Sequence, residues 1–418
     1  MRLIELLSPA KTIEHGIEAI NHGADAVYIG APQFSARANA SNSIEDIEKL
    51  ISYAHKFYAK VYVALNTILT DEELEQTQKT IHQLYNIGTD ALIIQDMGIT
   101  QLNLPPIPLH ASTQMDNRSV EKVQFLEHAG FEQVVLAREL DIDKIREIHE
   151  HTNVKLEGFV HGALCVCYSG QCYLSQSLCG RSANRGVCAQ MCRLPYSLKD
   201  RTGKILAKDK YLLSLKDFNL SSHLKELIDA GISSLKIEGR LKDINYVKNV
   251  TAYYRQQLDN LLEGNDQYHQ ASSGKCTFFF LPNIEKSFHR GSTNYFLHGR
   301  NKNIFSFNTP KSFGEEIGKV IKCDSHTITI QTTKELNNGD GFCFLNTDEQ
   351  FCGFKANRAD GYQITPAERI YIKPGTMLFR NFDQKFESLL SKKSYVTCLN
   401  IIWRFFIIYV WSYNTIER

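Results

Sequence analysis

The chain has 418 residues, 43% of them apolar and 22% charged, the make-up of an ordinary globular protein with one large domain and one or two small ones. Its formal net charge of +1 excludes a globally basic nucleic-acid coat but not a local patch. Between Arg181 and Arg240, twelve Lys or Arg stand against six Asp or Glu. We read that excess as a phosphate-binding surface carried by Arg181, Arg185 and Lys208, against the plainer alternative of a solvated face.

In chain order, the opening Met-Arg-Leu-Ile-Glu-Leu-Leu-Ser-Pro puts Glu5 where an export signal would be uniformly apolar. It reads as a strand, and the chain as cytoplasmic. One phrase then recurs, a helix-like run ending in Gly and followed within a few residues by a short apolar strand. It stands at Asn21-His-Gly-Ala-Asp-Ala-Val-Tyr-Ile-Gly30, Asn86-Ile-Gly-Thr-Asp-Ala-Leu-Ile-Ile-Gln95, His128-Ala-Gly-Phe-Glu-Gln-Val-Val-Leu-Ala137 and Asp229-Ala-Gly-Ile-Ser-Ser-Leu-Lys-Ile-Glu238. Gly at the helix C′ position takes the left-handed turn, and a continuously apolar strand suits a parallel sheet covered on both faces. Leu3–Leu7, Lys60–Leu65, Leu109–Ser112 and Val154–Val160 supply further strands, and Ser43–Tyr58 a helix capped by Ser43. Eight strands alternating with helices predict an α/β fold, a (β/α)8 TIM-like barrel over residues 1–265. Leu212–Leu215 is a ninth strand candidate, and a doubly wound open sheet is the competing architecture.

Functional residues of such a barrel sit at the C-terminal strand ends. Polar residues recur there: Arg37, Asn66, Gln95 and Asp96, His110 with Ser112 and Gln114, Arg138 with Glu139, His161, and Glu238 with Arg240. Segment 266–309 reads as a connection. Thr277–Leu281, Glu316–Ile321, Thr327–Gln331, Gly341–Leu345 and Arg369–Ile372 then alternate like strands, predicting a small all-β, barrel-like domain at about 310–390. The last stretch, 391–418, is an atypical apolar tail. Its Tyr395–Trp411 run is too short to span a bilayer, so it reads as an aberrant end, with an interfacial helix as the alternative.

The eleven cysteines begin only at Cys165, and six fall within 28 residues: Cys165, Cys167, Cys172, Cys179, Cys188 and Cys192. A secreted disulfide scaffold would be shorter and evenly stapled. Cys165, Cys172, Cys188 and Cys192 are separated by six, fifteen and three residues. Structural zinc favours two tight pairs, and only the second pair complies. The looser spacing suits a four-iron cluster taking thiolates from several directions, which we prefer over zinc and over buried, metal-free thiols.

Glu157-Gly-Phe-Val-His-Gly-Ala-Leu-Cys165 followed by Gly170-Gln-Cys-Tyr-Leu-Ser175 resembles the signature of the peptidase U32 (collagenase-like) family. Similar in the same way are Glu5-Leu-Leu-Ser-Pro-Ala10, Gly23-Ala-Asp-Ala-Val-Tyr28, Leu109-His-Ala-Ser-Thr-Gln114, Asn184-Arg-Gly-Val-Cys188, Cys192-Arg-Leu-Pro-Tyr196 and Leu235-Lys-Ile-Glu-Gly-Arg240. Leu213-Ser-Leu-Lys-Asp217, Arg240-Leu-Lys-Asp243 and Tyr246-Val-Lys-Asn-Val-Thr251 look like the branch that hydroxylates a cytidine of large-subunit ribosomal RNA. Sister proteins hydroxylate a tRNA uridine or the ubiquinone ring. The resemblance implies an iron–sulfur cluster, 4Fe-4S, on the four cysteines above, with Cys167 and Cys179 as spectators. It also implies dependence on prephenate, a small carboxylate metabolite. Members of the ribosomal branch are longer, so the tail reads as a C-terminal truncation.

On that footing Arg37, Arg138, Arg240 and Gln114 are expected to bind the carboxylate substrate, since arginine forks suit a dicarboxylate. His110, His161 and Glu139 are expected to move protons. Two other classes compete. A zinc peptidase would need His-Glu-x-x-His, and His149-Glu-His151 fails that spacing. A cysteine peptidase would need a Cys–His pair, for which Cys165 and His161 are the candidates. A non-catalytic RNA-binding protein is the third reading.

Overall fold

The structure, a computed structural model, describes residues 1–35, 42–239, 241–324 and 326–398. The large domain runs β1 (Arg2–Ala10), α1 (Ile13–Asn21), β2 (Ala26–Gly30), α2 (Ile44–Ala54), β3 (Lys60–Leu65), α3 (Asp71–Asn86), β4 (Ala91–Ile94) and β5 (Leu109–Ala111). It continues with α4 (Val120–His128), β6 (Gln133–Val135), α5 (Ile142–Glu150), β7 (Lys155–Gly162), α6 (Leu174–Cys179), α7 (Leu224–Asp229), β8 (Ile232–Ile237) and α8 (Ile244–Leu262). Each strand pairs in parallel with the next, and β8 pairs with both β7 and β1, which closes an eight-stranded barrel. The doubly wound alternative is thereby excluded.

Four glycines perform the repeated phrase. Gly23, Gly88, Gly130 and Gly231 take φ of +95°, +84°, +91° and +110°, closing α1, α3, α4 and α7 just before β2, β4, β6 and β8. Ser43 caps α2 by accepting the Asp46 N–H, and α2 turns its Ile47, Leu50, Ile51 and Ala54 onto the sheet. The crossover from β4 to β5 has no α-helix. Pro105, Pro106 and Pro108 remove three N–H donors there, and only the 3-10 turn Met97–Gln101 forms. Leu212–Leu215 is not a ninth strand: its one ladder contact is an isolated bridge from Leu215 to Phe305.

Beyond α8 the chain is not a loose connection. Tyr268–Gln270 pairs with β1, Ser292–Thr293 extends a strand at Asp217–Asn219, and Lys275–Phe278 pairs with Tyr395–Cys398. The first part of the expected tail is thus a sheet edge, and residues 399–418 lie outside the described residues. The second domain is a closed antiparallel barrel of β9 (Glu315–Cys323), β10 (Ile328–Gln331), β11 (Gly341–Leu345), β12 (Phe351–Asp360), β13 (Gln363–Pro366) and β14 (Met377–Phe382). Its own core holds Ile317, Ile328, Phe342, Ile364 and Leu378. Arg369–Ile372, expected as a strand, is irregular, and Gln363–Pro366 and Met377–Phe382 pair on either side of it. Helix α9 (Gln384–Leu390) fastens this domain to α8: Lys248 donates to the Leu390 carbonyl at 2.8 Å and Asn245 to Glu387 at 2.6 Å.

Candidate active site at the barrel mouth

The barrel axis is lined by a buried polar network. Glu5 on β1 accepts from Tyr62 on β3 (2.6 Å) and from Ser234 on β8 (2.7 Å). Glu157 on β7 accepts from Gln133 on β6 (2.5 Å) and pairs with Lys236 on β8 (2.6 Å). Burial pushes the Glu5 carboxyl up to about 7 against the hydrogen bonds from Tyr62 and Ser234. His110 on β5 sets its ring 4.7 Å from that of Tyr62 in a T-shaped contact, and its Nδ1 is buried without a partner. Desolvation, helped by Lys236, depresses it to about 3, so His110 is a neutral imidazole.

Above this network the cysteine segment lies across the C-terminal strand ends. Glu139, after β6, accepts both the backbone N–H (2.8 Å) and the hydroxyl (2.9 Å) of Ser169. Gly170, at φ +76°, sits so close to the Gln114 carbonyl that an added Cβ would lie 2.0 Å from its oxygen. Arg185 reaches α3, donating to both oxygens of Glu73 (3.0 and 2.6 Å) and to the Ile68 carbonyl (2.8 Å). That arginine holds the Glu73 carboxyl down to about 2. Arg193 closes the far side through the carbonyls of Leu164 and Leu215 and the hydroxyl of Ser214.

The fold gathers the thiols that the spacing only suggests. Cys192 interacts electrostatically with Cys165, Cys188 and Cys172, and burial raises its thiol. The Gln190 N–H, on a residue at φ +55°, points at the Cys188 sulfur at 3.4 Å. Arg193 favours the Cys192 thiolate, and Arg290 lies near enough to interact with both residues. Cys167 belongs to the same group, hydrogen-bonded to Cys172, and burial and that neighbour push its thiol up to about 11. Cys179 stands apart, donating to the Ser175 carbonyl at 3.1 Å. Among the described residues no three of these sulfurs lie within 4.8 Å of one another. A zinc tetrathiolate with bonds of roughly 2.3 Å would bring every pair to roughly 3.8 Å.

Of the residues expected to bind substrate, Arg138 and Gln114 stand at the mouth, while Arg37 and Arg240 lie outside the described residues. Arg138 pairs with Glu238 across the opening at 2.8 Å and stacks 3.7 Å over the Phe159 ring. Gln114 reaches the Asn66 carbonyl. His161 leaves the mouth. The ladder between β7 and β8 skips Val160, and this bulge turns His161 onto α8, 5.5 Å from the Tyr254 ring and 6.0 Å from that of Tyr246. Arg181 donates to the carbonyls of Val187 and Cys188. Lys208 stands exposed on the hairpin of Tyr196–Lys199 and Ile205–Lys210.

One group was missed from the sequence. Lys242 is half-buried near Asp217, Glu238 and Arg290, with its ammonium 3.4 Å over the Phe288 ring, and desolvation lowers it to about 8. A half-buried lysine whose ammonium is this easily deprotonated beside carboxylates is a proton-transfer or anion-binding candidate. Its signal was the Arg240-Leu-Lys-Asp243 phrase, which matched the family pattern without suggesting a role.

The chain is 51% identical over 400 residues to the 23S rRNA 5-hydroxycytidine C2501 synthase of Escherichia coli, covering 94% of this chain and 61% of that protein. It thus spans about three fifths of that relative's length. It is 37% identical to an uncharacterized protease of Methanocaldococcus jannaschii, covering 89% of this chain and 95% of the relative. Identity to the tRNA hydroxylation protein P1 of Bacillus subtilis is 32%, over 82% of this chain and 84% of that protein. No described helix is long and apolar enough to cross a membrane. The model of peptidase family U32 matches residues 11–305, taking in the barrel from α1 onward and the whole cysteine segment, and the chain belongs to that family.

Proposed function

We propose that this protein is an RNA-modifying enzyme that hydroxylates a cytidine of large-subunit ribosomal RNA, using prephenate and an iron–sulfur cluster. The observation that carries the proposal is the identity with the E. coli synthase along 94% of the chain, with the cysteine segment included. The tRNA hydroxylation relative supports RNA as the substrate class. A ribosomal substrate would put the protein in the cytoplasm.

The donor set fits the cluster. Cys165, Cys172, Cys188 and Cys192 would hold it, with the N–H of Gln190 and the guanidinium of Arg193 stabilising thiolate charge. When bound, it would supply one-electron chemistry at the mouth. Arg138 has N–H groups beyond its pair with Glu238 and would orient the carboxylates of prephenate, with Gln114 beside it. Lys242 would hold or move a proton near Glu238. Glu139 serves as the anchor of Ser169, and His110, neutral beneath the mouth, can donate or accept a hydrogen bond without a charge. RNA would meet the exposed hairpin, whose Lys199, Arg201, Lys204 and Lys208 surround the uncovered Leu198, Ile205 and Leu206.

Geometry does not favour the peptidase reading. Among the described residues no cysteine thiol is hydrogen-bonded to an imidazole, and His161 faces α8 rather than Cys165. Nucleoside mass analysis of ribosomal RNA from a strain lacking this chain tests the proposal. Loss of 5-hydroxycytidine is expected, and its retention at the normal level would overturn the assignment.

A further inference from the structure

Away from the mouth, three side chains from two distant segments meet on the outer layer. His223 precedes α7, Glu226 lies three residues on within its first turn, and His298 comes from the loop beyond Ser292–Thr293. The Glu226 carboxylate stands 3.2 Å from His223 Nδ1, and 2.9 and 3.0 Å from His298 Nε2. The imidazoles lie 5.0 Å apart at 69°, and one donor atom from each of the three residues falls within 4.8 Å of the others. Among the described residues this is the one such group of His, Cys, Asp and Glu side chains.

We propose that His223, Glu226 and His298 form a binding site for a divalent transition metal of the zinc type, separate from the cysteine segment. Zinc bonds of roughly 2.0–2.2 Å to imidazole nitrogen and carboxylate oxygen put tetrahedral ligand atoms roughly 3.3–3.5 Å apart, close to the separations already present. Two imidazoles with one carboxylate select borderline metals over magnesium or calcium, which take oxygen ligands. The scaffold is held in place. Leu297 is buried, and its carbonyl accepts the Ile142 N–H at 2.9 Å, so the backbone that delivers His298 is pinned to the start of α5. The three side chains are half-buried to exposed, leaving the outer side of the site open to a water or a further ligand. A bound ion would tie α7 to the chain between the two domains, across 72 residues of sequence. The competing view is a plain hydrogen-bonded cluster in which both imidazoles donate to Glu226.

Zinc separates the two views. The intact protein, with its cysteine segment unaltered, is equilibrated in zinc-buffered solution, and bound zinc is measured beside the melting temperature for wild type, His298→Ala and Glu226→Gln. The site requires one equivalent fewer in His298→Ala. It also requires Glu226→Gln, which keeps the shape and one acceptor oxygen within reach of both imidazoles, to bind at least about tenfold more weakly, the lower bound even for loss of an outer-shell partner. Zinc content and affinity equal to wild type in a folded Glu226→Gln protein would overturn the site, whatever happens to the melting temperature.

Discussion

Gly170→Ala isolates the docking of the cysteine segment on the barrel, because the segment carries its own control. Gly170 and Gly180 have nearly the same left-handed backbone, φ +76° and +70°. An added Cβ at Gly180 meets nothing within 4 Å, whereas at Gly170 it would lie 2.0 Å from the Gln114 oxygen and 2.7 Å from its carbonyl carbon. Gly180→Ala therefore incurs only the conformational term, roughly 1–2 kcal/mol. Gly170→Ala adds an overpacking term of about 1–3 kcal/mol, since a backbone carbonyl cannot swing away as a side-chain end would. The expected separation between the two variants is that second term. The assay is urea unfolding of both, with iron content measured in parallel. Gly170→Ala is expected to lose iron as the segment lifts off, and Gly180→Ala to keep it. Equal stability and equal iron in the two variants would refute the docking described above.

Acid should destabilise the protein steeply. His22, His110 and His161 are all depressed to about 3 by burial, so between pH 3 and 6.5 the unfolded chain binds protons that the folded chain does not. Stability is therefore present above the unfolded value of about 6.5 and is lost as pH falls, by about 1.4 kcal/mol per unit for each group. Glu5, raised to about 7, works in the opposite direction between its unfolded value and 7. His110→Gln should flatten the measured slope of stability against pH by about one such step, and an unchanged slope would mean that His110 is protonated in the fold. Serine replacements of Cys165, Cys172, Cys188 and Cys192 should each abolish bound iron, while Cys179→Ser should retain it. Cys167→Ser is the decisive member of that series: retained iron keeps it a spectator, and lost iron makes it a ligand. Charge reversal of Arg201, Lys204 and Lys208 should lower the salt dependence of RNA binding by about one slope unit per lost phosphate contact, and an identical slope would remove the hairpin from the interface.

The barrel was legible because its signal is local. A glycine two residues past a helix and an apolar run beyond it are read within ten residues, and Gly23, Gly88, Gly130 and Gly231 all behave accordingly after α1, α3, α4 and α7. The cysteine segment was legible as a group for the same reason. The polar barrel interior was not. Glu5, Tyr62, Gln133, Glu157, Ser234 and Lys236 are polar residues scattered over five different strands, and only closure brings them onto one axis. Arg185 read as a phosphate contact because its partner Glu73 lies 112 residues away. His161 read as a mouth residue because a strand written as a regular alternation hides the bulge that rotates it. In the small domain, β12 has only the short alternation of Cys352, Phe354 and Ala356 before a run of polar and charged residues, and the strand expected at Arg369–Ile372 was instead an irregular link.

The proposed activity is hydroxylation of ribosomal cytidine through the cysteine segment. The measurement that tests it most directly is nucleoside mass spectrometry of 23S rRNA from E. coli cells lacking the 5-hydroxycytidine synthase that resembles this chain, supplied either with this chain or with its Cys165→Ser variant. The expected result is that the intact chain restores 5-hydroxycytidine and the variant does not. Unmodified cytidine with both proteins present and folded, or full modification by the variant, would contradict the account.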